Sequence, residues 1–203
     1  MTNTFSYGAE RMTVPIAIDL ASGKREGNLT DAVKQRIRQS QQYVQQIVAE
    51  NKTVYGVNTG FGILANTPIS EADTATLQFK ILQSHSVGVG DPIPVEVAKL
   101  MLITKVQALA QGYSGVQLET LERILWHIDN DIIPVVPEKG SVGASGDLAP
   151  LAHLFLPLIG LGEVFVPTRN SQPETRNHQP VTRNPSLVTL KQFKLDPISL
   201  GPK

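Results

Sequence analysis

Small residues crowd the stretch GSVGASGDLAP at positions 140–150, and an apolar segment follows directly. Glycine adopts backbone conformations that other residues resist, so this stretch can bend tightly. Two interpretations follow: a loop that caps the next helix, or a loop whose own backbone takes part in chemistry. Because the local composition suits both, residues elsewhere in the chain must decide between them.

The tripeptide Ala144-Ser145-Gly146 contains the parts of a self-made electrophile. In a tight bend, the unhindered amide nitrogen of Gly146 can attack the carbonyl carbon of Ala144. Ring closure with loss of water, followed by loss of the Ser145 hydroxyl as a second water, gives a five-membered ring with an exocyclic methylene. Gly140 and Gly143 would allow the bend, and the following helix would direct its positive end towards the ring.

Other common chemistries lack their signatures in this sequence. Residues 143–147 end in aspartate where the G-x-S-x-G nucleophile elbow requires glycine, and neither of the glycine-rich phosphate-loop patterns occurs. The chain has no cysteine, which excludes disulfides and thiolate nucleophiles, and its four histidines are scattered. We therefore expect neither an acyl-transfer serine nor a metal site.

Three stretches, in order, resemble the ammonia-lyases that carry a 4-methylideneimidazol-5-one (MIO) group. They are TVYGVNTGFG at 53–62, LQFKILQSHSVGVG at 77–90, and GSVGASGDLAPLAHL at 140–154. The resemblance extends from about residue 10 to 165. It implies a mainly α fold with a few short strands, as in the N-terminal MIO-bearing domain of the ammonia-lyase/fumarase-like helical fold.

The resemblance implies a role for each matched residue. Ala144, Ser145 and Gly146 would form the MIO group autocatalytically, with no metal or external cofactor. Tyr55 would remove the β-proton of the substrate. A phenol is a weak base near neutrality, so this tyrosine would need help from positive helix ends and the prosthetic group. Asp147, beside the cyclising glycine, would assist ring formation.

Ser84 and His85 occupy the position that sets substrate selectivity in this family. They resemble the histidine-specific form, whereas phenylalanine-specific relatives tend to have Phe-Leu and tyrosine-specific ones His-Leu. A polar pair suits an imidazole substrate, so the resemblance implies conversion of L-histidine to trans-urocanate and ammonia. Another aromatic amino acid ammonia-lyase, an aminomutase, and a catalytically silent chain remain as alternatives.

Charge and hydropathy narrow the classes of partner. The formal net charge is zero, which gives no electrostatic reason to expect nucleic acid or an anionic membrane. The N-terminus lacks a signal-peptide pattern, and the longest apolar run is interrupted by Pro150, His153 and Pro157. We expect a cytoplasmic protein with a small amino acid substrate, and the family resemblance implies a homotetramer.

Hydrophobic periodicity and capping residues predict the elements that position these groups. We expect a strand at 12–20, a short strand entering a glycine-rich loop at 53–62, and an extended segment at 132–138. His127 and His153 should be packing residues. The predicted helices run from the cap Thr30 to about 51, from the cap Ser70 to about 87, over 95–111, over 115–129 with Ser114 and Gln117 as a capping box, and from about 148.

The chain changes character near its end. We expect an N-terminal MIO domain at 1–166, then a flexible polar insertion at 167–188 with the heptad quasi-repeat TRNSQPE, TRNHQPV, TRNPSLV. Residues 189–203 would begin a following helical region. Family chains are much longer and complete their sites with later residues, so we expect an N-terminal fragment that is inactive alone. In one departure from the family pattern, Gln107 stands where the resemblance implies asparagine.

Overall fold

A computed structural model describes residues 4–50, 52–60, 69, 71–167 and 186–189. Helices dominate these residues: α1 Val14–Ala21, α2 Asp31–Ala49, α3 Glu71–His85, α4 Val95–Leu109, α5 Leu118–Asp129 and α6 Leu148–Phe155. Short strands lie between them: β1 Thr4–Ser6, β2 Glu26–Asn28, β3 Val89–Pro92, β4 Ile133–Pro134, β5 Pro137–Lys139, β6 Glu163–Val166 and β7 Ser186–Thr189. The predicted class, mainly α with a few short strands, is confirmed.

Four of the predicted helices form close to their expected bounds. The side chain of Thr30 accepts a hydrogen bond from the Val33 amide at 3.4 Å, so α2 begins at its predicted cap. Helices α4 and α6 agree with prediction within two residues. Helix α3 ends at His85, two residues early, and its predicted cap Ser70 lies outside the described residues.

The predicted strand at 12–20 is wrong, because this segment contains α1. Apolar residues alternate here and suggest a strand, but Ala17 and Leu20 are the buried pair, at helical spacing. Pro15 lies in the first turn, where a missing N–H costs no helical hydrogen bond. Helix α1 packs against α4, so tertiary burial decides between the two periodicities.

Helix α5 begins at Leu118 and not at 115, so the predicted capping box of Ser114 and Gln117 is wrong. The Gly115 amide donates to the hydroxyl of Ser40 on α2 at 3.0 Å. Gly115 also has φ +65°, a left-handed conformation that a helix cannot include. Contact with α2 therefore delays the start of α5 by one turn.

One apolar core joins the N-terminal strands to the helices. Phe5 and Tyr7 pack edge to face with ring centroids 5.4 Å apart. Around them lie buried apolar residues from α2, α4, α5 and α6, among them Ile37, Leu102, Ile103, Val106, Leu121, Ile124 and Leu154. This core holds α6, and with it the end of the loop 140–147, in a fixed place.

Strand pairing links distant parts of the chain. β1 pairs with β2 in parallel, β3 with β5 antiparallel, and β4, β6 and β7 form an antiparallel sheet in the order β4-β6-β7. The extended segment expected at 132–138 is confirmed by β4 and β5. Residues 168–185 of the predicted insertion lie outside the described residues, and its last three belong to β7. The predicted boundaries stay a prediction.

Within the described ranges, no helix has both the length and the apolar character needed to cross a membrane.

Candidate functional site

The loop between β5 and α6 carries the Ala144-Ser145-Gly146 tripeptide on a single tight turn. Residues Gly143–Ser145 form a 3₁₀ turn in which the Gly146 amide donates to the Gly143 carbonyl at 3.1 Å. Both the amide and the hydroxyl of Ser145 donate to the Val142 carbonyl, at 2.9 and 2.8 Å. The three residues are thus folded back on the chain that precedes them, and helix α6 begins directly after the loop.

Left-handed conformations shape this loop. Gly140 has φ +131°, Gly146 +84° and Asp147 +57°. The sequence pointed to Gly140 and Gly143 as the permissive glycines; the structure requires that freedom at Gly140 and Gly146. Asp147 is one of the few residue types other than glycine that tolerate this region. Its carboxylate accepts a hydrogen bond from the Ser141 hydroxyl, which closes the loop at its base.

The loop is open to its surroundings. Residues 141–148 are all exposed, and a Cβ added at Gly143 or Gly146 would meet no atom within 4 Å. Two apolar side chains flank the turn with much of their surface uncovered: Val142 is 58% exposed and Leu148 47%. The tripeptide is therefore accessible to a small molecule or to a further protein surface.

Ser84 and His85 form the C-terminal end of α3. The Nδ1 atom of His85 lies 2.9 Å from the Ile81 carbonyl oxygen and 3.0 Å from the Ser84 hydroxyl. A carbonyl only accepts, so Nδ1 carries the proton and donates to Ile81. In the neutral ring, Nε2 then holds the lone pair and is the atom left to accept a hydrogen bond from a ligand.

The structure brings the end of α3 to the start of the loop. Strand β3 follows His85 closely and pairs with β5, so that Val89 lies opposite Lys139, the residue before Gly140. The Gly88 amide also donates to Nε2 of His153 on α6 at 3.0 Å. Two of the three sequence-predicted motifs, the Ser-His pair and the Ala-Ser-Gly loop, therefore share one region.

Tyr55 lies in an exposed turn at residues 55–57, and the short strand predicted just before it does not form. Its side chain is 62% exposed. Asn58 holds this turn: its Oδ1 accepts from the Val54 amide at 2.9 Å, and its Nδ2 donates to the Lys52 carbonyl at 2.8 Å. The rest of the predicted segment, residues 61 and 62, lies outside the described residues, and the approach of Tyr55 to the loop stays a prediction.

Sequence reasoning missed the specific contacts of two supporting residues. Asn58 fixes the turn of Tyr55, and asparagine within a glycine-rich stretch is a known signal for such a turn. His153 was expected to be a satisfied core histidine; the structure places it half-buried, with its Nε2 accepting a hydrogen bond. Its specific partner, the Gly88 amide, gives no signal in the sequence because 65 residues separate the two.

Two other residues have structural contacts away from this region. His127 is 2% exposed and donates from Nδ1 to the Ile132 carbonyl at 2.8 Å, as expected for a packing histidine. Gln107 accepts from the Gly8 amide and donates to the Glu10 carbonyl, both at 2.9 Å, and so attaches the N-terminal segment to α4. Among the described residues, no cluster of histidine, aspartate and glutamate has the arrangement of a metal site.

Comparison with known proteins identifies the family. Residues 12–203 match the sequence model of a protein family that is described as aromatic amino acid lyase. The chain belongs to the aromatic amino acid lyase family. One curated relative, histidine ammonia-lyase of Caldanaerobacter subterraneus subsp. tengcongensis, is 47% identical over 154 residues, which are 76% of this chain and 30% of the relative.

Solved structures of family members have the same fold. Histidine ammonia-lyase from Trypanosoma cruzi superposes with a TM-score of 0.78 at 28% identity, and tyrosine aminomutase from Streptomyces globisporus with 0.81 at 27%. Each match covers 98% of this chain and 35% of the solved one. The chain spans about a third of the length of the relatives it matches.

Proposed function

We propose that the whole protein is a histidine ammonia-lyase, which converts L-histidine to trans-urocanate and ammonia. The observation that carries the proposal is the junction of two elements: the helix ending in Ser84-His85 and the loop carrying Ala144-Ser145-Gly146, joined through β3 and β5. The 47% identity to a histidine ammonia-lyase supports the same substrate. A cytoplasmic location and a homotetrameric assembly are part of this proposal.

The loop fits the formation of an MIO group from its own backbone. Ala144, Ser145 and Gly146 stand in the required order on one tight turn, and open space surrounds Gly146. When formed, the group would supply an electrophile that makes the substrate amine a better leaving group. Asp147, bonded to Ser141 at the base of the loop, would help to hold the turn in the conformation from which the ring closes.

Two side chains of this chain would act on the substrate directly. Tyr55, exposed on its turn, would accept the β-proton of the substrate as the general base. His85 would accept a hydrogen bond at Nε2 from the N–H of the substrate imidazole, because its Nδ1 proton is donated to Ile81. Ser84 would support this ring through its hydroxyl, 3.0 Å from Nδ1.

A hybrid enzyme tests the proposal. The 154 aligned residues of this chain would replace their counterparts in the Caldanaerobacter histidine ammonia-lyase. We expect absorbance of urocanate to grow with histidine and no product with phenylalanine or tyrosine. Ser145→Ala should lower turnover by more than about 1000-fold, the scale seen when a covalent catalytic group is removed. Ser114→Ala, a change at an exposed serine, is the matched control.

The alternatives give different results in the same assay. Undiminished turnover in the Ser145→Ala hybrid would refute the catalytic assignment. Product from tyrosine or phenylalanine would support a related lyase or aminomutase, which the likeness to tyrosine aminomutase keeps as the second candidate. An assembled hybrid without turnover of any of the three amino acids would indicate that this chain is catalytically silent.

A further inference from the structure

One half-buried hydrogen bond lies at the junction of the two proposed site segments. The Gly88 amide donates to Nε2 of His153 at 3.0 Å, which joins the residues after α3 to helix α6. Because the amide is the donor, Nε2 holds the lone pair and the proton of the neutral ring is on Nδ1. Burial lowers the pKa of His153 and so favours this neutral form.

Close backbone packing surrounds this hydrogen bond. A Cβ added at Gly88 would lie 3.1 Å from Nε2 of His153 and 3.1 Å from the Lys139 carbonyl oxygen. A Cβ added at Gly140 would lie 2.9 Å from the Cα of Gly88. The residues after α3, the start of the loop and α6 thus meet at one point, where an additional side chain would force its neighbours to shift.

This point controls the relative placement of two proposed functional groups. His85 bonds to Ile81 within its own helix, so its ring moves with the end of α3. Ser145 lies in the short segment between Gly140 and α6, so the loop is held at both of its ends. The bond between Gly88 and His153 connects these two parts directly.

We propose that His153 is a positioning residue for the proposed substrate-binding residue His85. By accepting the Gly88 amide, its Nε2 holds the end of α3 against the start of the loop. The distance between the His85 ring and Ser145 is then set by a hydrogen bond and not by the loop alone. The inference rests on the proposed function in that His85 binds the substrate imidazole.

Nuclear magnetic resonance on the 203-residue chain tests the contact without any activity measurement. We expect a scalar coupling between the Gly88 amide nitrogen and Nε2 of His153, slow exchange of the Gly88 amide, and cross-peaks between the α-protons of Gly88 and Gly140. The measurement on the wild-type chain is sufficient to test the inference. If the scalar coupling is absent and the Gly88 amide exchanges freely with solvent, the inference is overturned.

Two pairs of variants separate positioning from general packing. His153→Leu removes the acceptor and should speed exchange of the Gly88 amide by about tenfold, whereas His153→Gln offers a carbonyl oxygen at similar reach and should restore protection. Gly88→Ala should change the chemical shifts of the His85 ring. Gly143→Ala, where an added methyl meets nothing within 4 Å, should leave those chemical shifts unchanged. Unshifted His85 signals in both His153→Leu and Gly88→Ala would contradict positioning.

The hybrid enzyme distinguishes failure of this inference from failure of the proposed function. His153→Leu should raise KM for histidine by about five- to tenfold, with a smaller change in kcat, and His153→Gln should recover most of the loss. An active hybrid whose KM is unchanged by His153→Leu refutes the positioning role and leaves the lyase proposal standing. An assembled wild-type hybrid without histidine turnover refutes the lyase proposal, while the contact is still decided by the resonance experiment.

Discussion

His127 shows at the scale of one residue how burial fixes a protonation state. Its ring is 2% exposed and donates from Nδ1 to the Ile132 carbonyl, and its Nε2 is buried with no partner among the described residues. Burial, opposed by the Ile132 hydrogen bond and assisted by the charge of Arg123, lowers the pKa of His127 to about 4. A proton on Nε2 would be enclosed without an acceptor, so the folded protein keeps the ring neutral.

This lowered pKa predicts a loss of stability in mild acid. The unfolded chain binds the proton near pH 6.5 and the folded chain only near 4. The contribution of His127 is therefore complete above pH 6.5 and is lost as pH falls towards 4, by about 3 kcal/mol in all. Urea unfolding of wild type and His127→Asn, which keeps a donor for Ile132 but does not titrate, isolates this dependence. Equal pH slopes for the two proteins would contradict the prediction.

At the scale of elements, the N-termini of α1 and α2 allow a direct comparison of two threonines at the same capping position. Thr30 caps α2 through its side chain, whereas Thr13 precedes α1 without a side-chain capping bond. Thr30→Ala should lower the free energy of unfolding by about 0.5–1 kcal/mol. Thr13→Ala should change it by less than about 0.5 kcal/mol. Equal losses in denaturant melts would show that the Thr30 hydroxyl does not act as a cap.

At the scale of the whole molecule, the packing around the loop determines whether its backbone can cyclise. Residues 141–148 are exposed, and the chain spans 30% of the Caldanaerobacter relative. Cyclisation must bring the Gly146 nitrogen onto the Ala144 carbonyl carbon, and surrounding packing would supply the compression. We predict that the 203-residue chain purified alone has the unmodified mass, whereas the hybrid enzyme has lost two waters. Loss of two waters in the isolated chain would mean that the turn closes unaided.

The sequence by itself determined the features that depend on neighbouring residues. Thr30 starts α2, α6 follows the GSVGASG loop, and three ordered motifs indicate the lyase family, because caps, turns and motifs are set over a few positions. The Ala-Ser-Gly tripeptide and the Ser84-His85 pair could be named as candidates for the same reason. Their chemical roles remain predictions that the hybrid enzyme tests.

Tertiary structure alone decided the features that depend on partners far along the chain. Residues 14–21 form a helix that packs against α4 with Ala17 and Leu20 buried, and α5 starts late because the Gly115 amide donates to the Ser40 hydroxyl. The meeting of Gly88, Gly140 and His153 has the same origin. Burial and long-range hydrogen bonds outweigh local propensities of a few tenths of a kcal/mol per residue, and no local pattern in the sequence records which distant residue supplies them.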